Sequence, residues 1–215
     1  MAKRSALSAW FGATARPTRV HQFLIVLTET DPLVWRRIQV PDTYSFWDLH
    51  VAIQDAMGWL DYHLHEFRVP DAAGRRLVAI GIPSSDDVPR DRPKAGWLVP
   101  LANYFETGIR PPGLYTYDFG DDWHHVVAYE GATLPEPGLE YPRCVGGARR
   151  CPPEDCGGAS GYAEFLAIIA DATHPEHAER LDWVGGAFDP DTFDPAAVAF
   201  ADPARRWKKA FGDEA

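Results

Sequence analysis

The sequence is poor in cysteine and in basic residues, and it contains no long apolar run. Its 215 residues include 3 cysteines, and 21 lysines and arginines stand against 31 aspartates and glutamates. No stretch reaches the roughly 18 apolar residues that a membrane-spanning helix needs, which excludes such a helix. We therefore expect a soluble, cytoplasmic protein that does not interact with membranes.

The acidic excess lies in the second half of the chain. Residues 1–110 carry 13 basic and 12 acidic side chains, whereas residues 111–215 carry 8 and 19. An acidic surface repels the phosphate backbone of nucleic acids. The sequence therefore disfavours nucleic acid as a partner of this half, and it leaves a protein partner of unknown identity open.

Several motifs of well-understood enzymes are missing. The sequence has neither a nucleotide-binding P-loop nor the strand-to-helix elbow that carries a nucleophilic serine. Asp118-Phe119-Gly120 spells the metal motif of protein kinases, but the Gly-rich loop and the His-Arg-Asp loop of that class are absent. The cysteines form no Cys-x-x-Cys pair, which disfavours thiol redox chemistry.

The first 80 residues combine strand and helix patterns. The apolar runs 23–27 and 33–40 predict two paired strands, and 62–69 and 76–80 predict a second hairpin. Between the hairpins, Ser45 followed by Asp48 predicts a capping box, and apolar residues recur at helical spacing until Gly58. The sequence therefore predicts a β-β-α-β-β unit at the start of the fold.

The second half predicts one more hairpin, over 114–118 and 123–129, followed by helices. Helices are expected to begin near Ser160, at Pro175 and at Asp194-Pro195. Strands first and helices last predict an α+β fold, with a mostly antiparallel or mixed sheet and a C-terminal helical segment packed on it. We expect three regions: a flexible N-terminal leader (1–18), a single α+β domain (19–205) and a charged C-terminal tail (206–215).

All three cysteines fall within 141–158, a segment so rich in proline and glycine that we expect an irregular loop. Cys144, Cys151 and Cys156 could hold a structural zinc ion if a fourth ligand closed the tetrahedron, and the nearest candidates are His125 or His124 on the preceding strand. The alternative is three reduced thiols that simply pack.

A second group of candidate residues combines histidine and aspartate. In a strand over 61–68, alternation sends Asp61, His63, His65 and Phe67 to one face. Imidazole and carboxylate groups that project together can bind a metal or transfer protons near neutral pH. Asp118, Asp121 and Asp122 lie in the next hairpin turn and could join the same site. The alternatives are a solvated strand face and aspartates that form only local turn hydrogen bonds.

Five motifs occur in order along the chain and together resemble one known family. They are Trp35-Arg36-Arg37-Ile38-Gln39-Val40-Pro41, Asp48-Leu49-His50 with Met57-Gly58-Trp59, His63-Leu64-His65-Glu66-Phe67, Tyr117-Asp118-Phe119-Gly120-Asp121-Asp122-Trp123, and Cys151-Pro152-Pro153-Glu154-Asp155-Cys156-Gly157-Gly158. Over approximately residues 19–200 the chain resembles the plasmid pRiA4b ORF-3-like family, also labelled the passenger TnpR family of an insertion element. The resemblance implies a single α+β domain of bacterial or archaeal cytoplasm, often encoded near mobile elements, with no established biochemical role.

Two functional hypotheses follow. The first is a mobile-element-associated accessory or interaction domain, stabilised by a structural metal at the cysteines. The second is a metal-dependent hydrolase or nuclease that uses His63, His65, Asp118, Asp121 and Asp122. A true resolvase is not expected, because a serine recombinase needs a structured nucleophilic serine and a basic DNA-binding helix.

Overall fold

A computed structural model describes residues 17–71, 74–88, 90, 92–105 and 111–212. Eight strands form one sheet in the order β5-β4-β3-β6-β7-β1-β2-β8, and all neighbours are antiparallel except β4 and β5. The strands are β1 (Val20–Leu27), β2 (Val34–Pro41), β3 (His65–Pro70), β4 (Leu77–Gly81), β5 (Lys94–Ala95), β6 (Gly113–Tyr117), β7 (Trp123–Thr133) and β8 (Arg143–Ala148).

Three helices of the described chain follow the last strand, one long helix lies between the first two hairpins, and one short helix lies between β5 and β6. None of these helices is long and apolar enough to cross a membrane. They are α1 (Phe46–Met57), α2 (Ala102–Phe105), α3 (Gly158–Ala170), α4 (His177–Trp183) and α5 (Pro203–Phe211), with 3-10 turns at Gly96–Leu98 and Pro195–Ala197.

The predicted α+β fold and its early β-β-α-β-β unit are confirmed. Helix α1 begins and ends where the capping pattern predicts. The Ser45 side chain accepts a hydrogen bond from the Asp48 N–H, and the Asp48 carboxylate accepts one from the Ser45 N–H. Gly58 ends the helix with a φ of 91°, in the left-handed region that glycine adopts most readily. The inner faces of α1 and the sheet form one hydrophobic core.

Two local expectations were wrong, and both concern the segments that build the candidate site. The strand predicted over 61–68 begins only at His65, because Asp61 has a φ of 61° and turns the chain out of extended geometry. The cysteine segment is not entirely a loop, since Cys144 lies in β8 and Gly158 begins α3. Strand β8 pairs with β2 at the edge of the sheet, where the Gly146-Gly147 backbone lies close to Trp35 and Phe193.

The end of the described chain is folded. Residues 206–211, expected in a charged tail, continue helix α5, and Trp207 is buried in a second cluster with Trp47 and Val51 of α1. Arg206 on the same helix pairs with Asp55 at 2.6 Å. The aromatic residues of this helix have a partner surface on α1, which explains why the helix forms here.

Candidate functional site

Three segments that are distant in sequence meet at one end of strands β3 and β6. They are the loop before β3, which carries His63, the turn between β6 and β7, which carries Asp118, and the loop between β8 and α3, which carries Asp155. The antiparallel pairing of His65 with Tyr117 aligns the first two segments. Within the described residues, these three side chains are the one set of His, Cys, Asp or Glu ligand atoms that all lie within 4.8 Å of one another.

The turn between β6 and β7 presents the Asp118 side chain to the site. Asp118 has a φ of 55°, and its N–H donates to the Leu64 carbonyl at 2.9 Å. Its Oδ1 accepts a hydrogen bond from the Gly120 N–H, which leaves Oδ2 directed at His63. A left-handed backbone at a non-glycine residue costs about 1 kcal/mol or more and is frequent at functional sites.

The loop before α3 is fastened to the same turn by backbone contacts. The Gly157 N–H donates to Asp121 Oδ2 at 3.1 Å, and Gly158 lies against the Asp121 carbonyl, where a Cβ atom would come within 2.4 Å of the oxygen. Trp59 also holds this loop, since its Nε1 donates to the Pro152 carbonyl at 3.0 Å. Asp155 is thereby held near the site in a second left-handed conformation, with a φ of 54°.

His63 lies at the centre of the cluster. Its Nε2 is 3.1 Å from Asp155 Oδ1, 3.5 Å from Asp118 Oδ2 and 3.9 Å from Glu154 Oε2. Nε2 is enclosed, yet it forms no aligned hydrogen bond with any residue that the structure describes. Asp118 is nearly buried, whereas the Asp155 side chain is 68% exposed, so the cluster opens to solvent on the Asp155 side.

Glu154 is the most firmly held carboxylate of the site. Its Oε1 accepts a hydrogen bond from the Leu60 N–H at 2.7 Å, and the Tyr117 hydroxyl donates to the carboxylate at 3.2 Å. Burial raises the pKa of Glu154 above its ordinary value, against the opposing effect of these two hydrogen bonds. Burial also raises the pKa of Tyr117, so the phenol stays a neutral donor near pH 7.

The other predicted catalytic residues point elsewhere. His65 is buried and stacks on His50 with ring centroids 3.5 Å apart, and burial holds its pKa well below the usual range. Asp121 Oδ2 accepts a hydrogen bond from the Gly157 N–H, and Asp122 Oδ1 lies 3.3 Å from Nε2 of the exposed His124. Of the five residues predicted from strand and turn geometry, the structure brings His63 and Asp118 together.

The predicted zinc ligands do not form a set within the described residues. Cys144, Cys151 and Cys156 are free thiols, and none of them belongs to a group of three ligand atoms within 4.8 Å. Burial raises the pKa of Cys151, which disfavours its thiolate. His125 is directed at the backbone instead, with Nδ1 3.2 Å from the Tyr115 carbonyl oxygen.

Sequence reasoning missed Glu154, Asp155 and Tyr117 as site residues. The signal was present, because Tyr117 and the Glu154-Asp155 pair lie in two of the five motifs on which the family resemblance rests. All three missed residues belong to segments joined only by tertiary contacts.

Fold and site together define the class of protein: an α+β domain with a mostly antiparallel sheet and a histidine–carboxylate cluster at one end of its strands. The chain belongs to the family of plasmid pRiA4b ORF-3-like proteins, whose profile matches residues 19–197.

Two relatives illustrate this membership. The uncharacterised protein y4hQ of Sinorhizobium fredii is 37% identical over 194 residues, which cover 86% of this chain and 92% of the relative. The crystal structure of MM3350, a protein of unknown function from Methanosarcina mazei Go1, has a TM-score of 0.77 and 41% sequence identity. The match covers 85% of this chain and 98% of that protein.

Proposed function

We propose that this protein binds one divalent cation, with zinc the first candidate, through His63, Asp118 and Asp155, and that it is a metal-dependent hydrolase. The observation that carries the proposal is the spacing around His63 Nε2, which lies 3.1 Å and 3.5 Å from the two aspartate oxygens. A tetrahedral zinc site with bonds of about 2.1 Å separates neighbouring ligand atoms by about 3.4 Å. The two distances from Nε2 are therefore close to the separation of ligands around one ion, and all three atoms lie within 4.8 Å of one another.

The charge balance of the cluster supports the same proposal. Asp118, Glu154 and Asp155 bring three carboxylates to one imidazole, and burial disfavours uncompensated negative charge. A divalent cation at this point would offset the repulsion among the three carboxylates. It would also be coordinated by His63 Nε2, which has no aligned hydrogen bond. One nitrogen with two carboxylate oxygens is a donor set that suits zinc and manganese.

Glu154 supports hydrolysis rather than a purely structural ion. A catalytic zinc site has three protein ligands and an open position for water, whereas a structural site is closed by four. Glu154 lies beside the three ligands, with its Oε2 3.9 Å from His63 Nε2, and its raised pKa suits a group that takes and returns a proton. A bound zinc ion supplies the complementary chemistry by lowering the pKa of water to about 7.

Metal analysis tests the binding step. Protein purified without added metal and then treated with chelator should bind one zinc ion per chain in calorimetric titration. His63→Gln and Asp118→Asn should each weaken binding by more than the roughly 10–100-fold that loss of an outer-shell partner costs. The control is Glu164→Gln, which removes an exposed carboxylate of α3 outside the cluster.

Glu154→Gln separates binding from chemistry. The amide oxygen can still accept the hydrogen bonds from Leu60 and Tyr117, so zinc should bind as before. Hydrolysis of p-nitrophenyl phosphate or its bis-ester should fall about 100-fold or more, since general base catalysis contributes that much. Zinc binding that survives His63→Gln but is lost in Cys151→Ser would contradict the proposal and favour a thiolate site.

An interaction domain, of the accessory kind associated with mobile elements, is the second candidate function. The observation that favours it is a group of exposed apolar side chains around the cluster, which are Leu60, Tyr62, Leu64 and Phe119. Exposed apolar surface of this kind is common where one protein binds another. Two results together would favour this candidate. The zinc-loaded protein would hydrolyse neither phosphate ester, and the His63 and Asp118 variants would still bind metal poorly.

A further inference from the structure

A cleft of about 620 Å³ adjoins the proposed cation site and shares Glu154 and Asp155 with it. The cleft lies between the loop 57–62, the loop 150–155 and the end of α4. Clefts of about 300–1,000 Å³ accommodate small organic ligands. This position would let a bound molecule reach the proposed ion and extend away from it along the cleft.

The aromatic side chains of the cleft are unusually accessible. Tyr62 is 69% exposed and Trp183 is 47% exposed, and both line the cleft. Trp183 is held in place by an edge-to-face contact with Phe165, with ring centroids 5.9 Å apart. Exposed, well-supported aromatic rings stack on planar groups such as nucleobases.

Arg150 supplies a positive charge in the same cleft. Its guanidinium lies 4.5 Å above the Phe188 ring and is within 3.5 Å of the Ala187 carbonyl oxygen. Asp189 interacts electrostatically with this guanidinium, but no carboxylate of the described residues lies within 4 Å of it. A guanidinium that is supported by an aromatic ring and makes no close ion pair can bind an anion such as phosphate.

We infer that this cleft binds a nucleoside monophosphate, with its base on the Trp183 and Tyr62 side and its phosphate between Arg150 and the cation site. The inference rests on the proposed function and names the substrate class of the same site. Glu154 and Asp155 would repel a phosphate in the absence of metal. Phosphate binding should therefore depend on the cation, since an ion and an arginine together form a clamp for phosphoryl groups.

A nucleoside monophosphate bound in this way could be hydrolysed at this site. The oxygen of a water molecule forms a bond to phosphorus, and the bond between phosphorus and the 5′ oxygen of the nucleoside breaks. The proton of the water ends on the departing 5′ oxygen, so the products are a nucleoside and inorganic phosphate. No oxidant or further reactant is needed.

The test measures binding of adenosine 5′-monophosphate to the full-length, zinc-loaded protein by calorimetry, with adenosine and ribose 5-phosphate as comparison probes. We expect the monophosphate to bind more tightly than either fragment and to bind at least about tenfold more weakly without zinc. Arg150→Ala should weaken its binding by about tenfold or more without changing zinc binding.

Trp183→Leu and Tyr62→Ala test the stacking part of the inference. Each should weaken the binding of adenosine monophosphate by about tenfold and leave the binding of ribose 5-phosphate unchanged, because base stacking on an aromatic ring contributes about this much. The matched control for Arg150→Ala is Arg180→Ala. It removes an arginine of α4 that pairs with Glu176 and does not line the cleft.

The outcomes separate this inference from the proposed function. If zinc binds normally but the nucleotide does not bind, the inference is overturned and the proposed metal site is not. The same holds if the nucleotide binds and Arg150→Ala leaves its binding unchanged. Tight binding of ribose 5-phosphate that equals that of the nucleotide would also overturn it, since the ligand would then be a simple phosphate ester. Failure to bind zinc would overturn both.

Discussion

Arg36 shows how a single buried charge can be accommodated without a carboxylate. Its side chain is fully enclosed, its Nε donates to the Ala56 carbonyl at 2.7 Å and its guanidinium stacks over Phe193 at 3.6 Å. Ala56 lies in the last turn of α1, where unpaired carbonyl groups carry partial negative charge. Burial still lowers the pKa of Arg36, but the charge is compensated by oriented dipoles. The arginine therefore joins β2 to the end of α1.

Buried histidines make stability depend on pH. Burial lowers the pKa of His125 to about 4 in the folded protein, from an ordinary value of 6.5. Between these values the unfolded chain binds a proton that the folded chain does not, so the free energy of unfolding should fall as the pH falls from 6.5 towards 4. The slope is at most about 1.4 kcal/mol per pH unit for one group.

Comparing urea unfolding of wild type and His125→Phe at pH 7 and pH 4.5 measures this contribution. The variant should lose less stability over that interval than wild type, because phenylalanine has no proton to bind. Equal pH dependence in the two proteins would show that His125 does not contribute.

At the scale of elements, the start of α3 decides how the cysteine loop meets the rest of the site. Gly157 and Gly158 both have positive φ values, 90° and 67°, and lead the chain from the loop into the helix. Gly161, one turn later, lies so close to the loop that a Cβ atom would be 1.9 Å from the Cys156 carbonyl oxygen. The loop that carries Glu154 and Asp155 therefore packs directly on the helix backbone.

Gly161→Ala should destabilise the protein, although alanine favours a helix over glycine by about 1 kcal/mol. The new methyl group would force the loop away, and overpacking of this kind costs about 1–3 kcal/mol. Thermal unfolding should show a lower midpoint, and zinc binding should weaken because Asp155 moves. Gly212→Ala is the control, since its φ is −70° and the nearest atom to the new Cβ, Lys208 Cβ, is at an ordinary contact distance of 3.8 Å. A raised midpoint for Gly161→Ala would contradict the close contact.

Across the whole molecule, helix α5 connects the end of the described chain to α1 and to the loop before β3. Arg206 pairs with Asp55 of α1 and lies 3.5 Å from Asp61, two residues before His63. The Trp47 Nε1 donates to the Pro203 carbonyl, and Trp207 fills the space between α1 and the Gly96–Leu98 turn. The helix therefore forms part of the folded unit that supports the candidate site.

Trp207→Ala tests whether α5 unfolds together with the rest of the domain. Loss of a buried tryptophan costs about 3–5 kcal/mol, so the variant should unfold in a single transition at a much lower urea concentration. Lys208→Ala, which changes an exposed neighbour on the same helix, should unfold like wild type. An unchanged main transition in Trp207→Ala would instead identify residues 206–211 as an appendage, as the charge of this segment suggests from sequence.

The sequence by itself determined the fold class and most of the elements. The capping box at Ser45 and Asp48, the glycine stop at Gly58 and the two apolar hairpins are local signals, and the structure follows each of them. Local signals succeed because hydrogen bonding within a helix turn and alternation within a strand depend on neighbours only a few residues away. His63 and Asp118 also stood out from sequence, as residue types suited to metal or proton chemistry.

The tertiary structure alone decided which of these residues come together. His63 and Asp118 are joined through the register of β3 and β6, and Asp155 arrives on a loop held by Gly157, Gly158 and Trp59. The left-handed turns at Asp61, Asp118 and Asp155 aim the side chains in directions that strand alternation does not predict. The meeting of these side chains depends on contacts between segments that are distant in the sequence. Residue spacing contains no information about such contacts, so it predicted a site at the cysteines, whereas the fold brings together the carboxylates beside them.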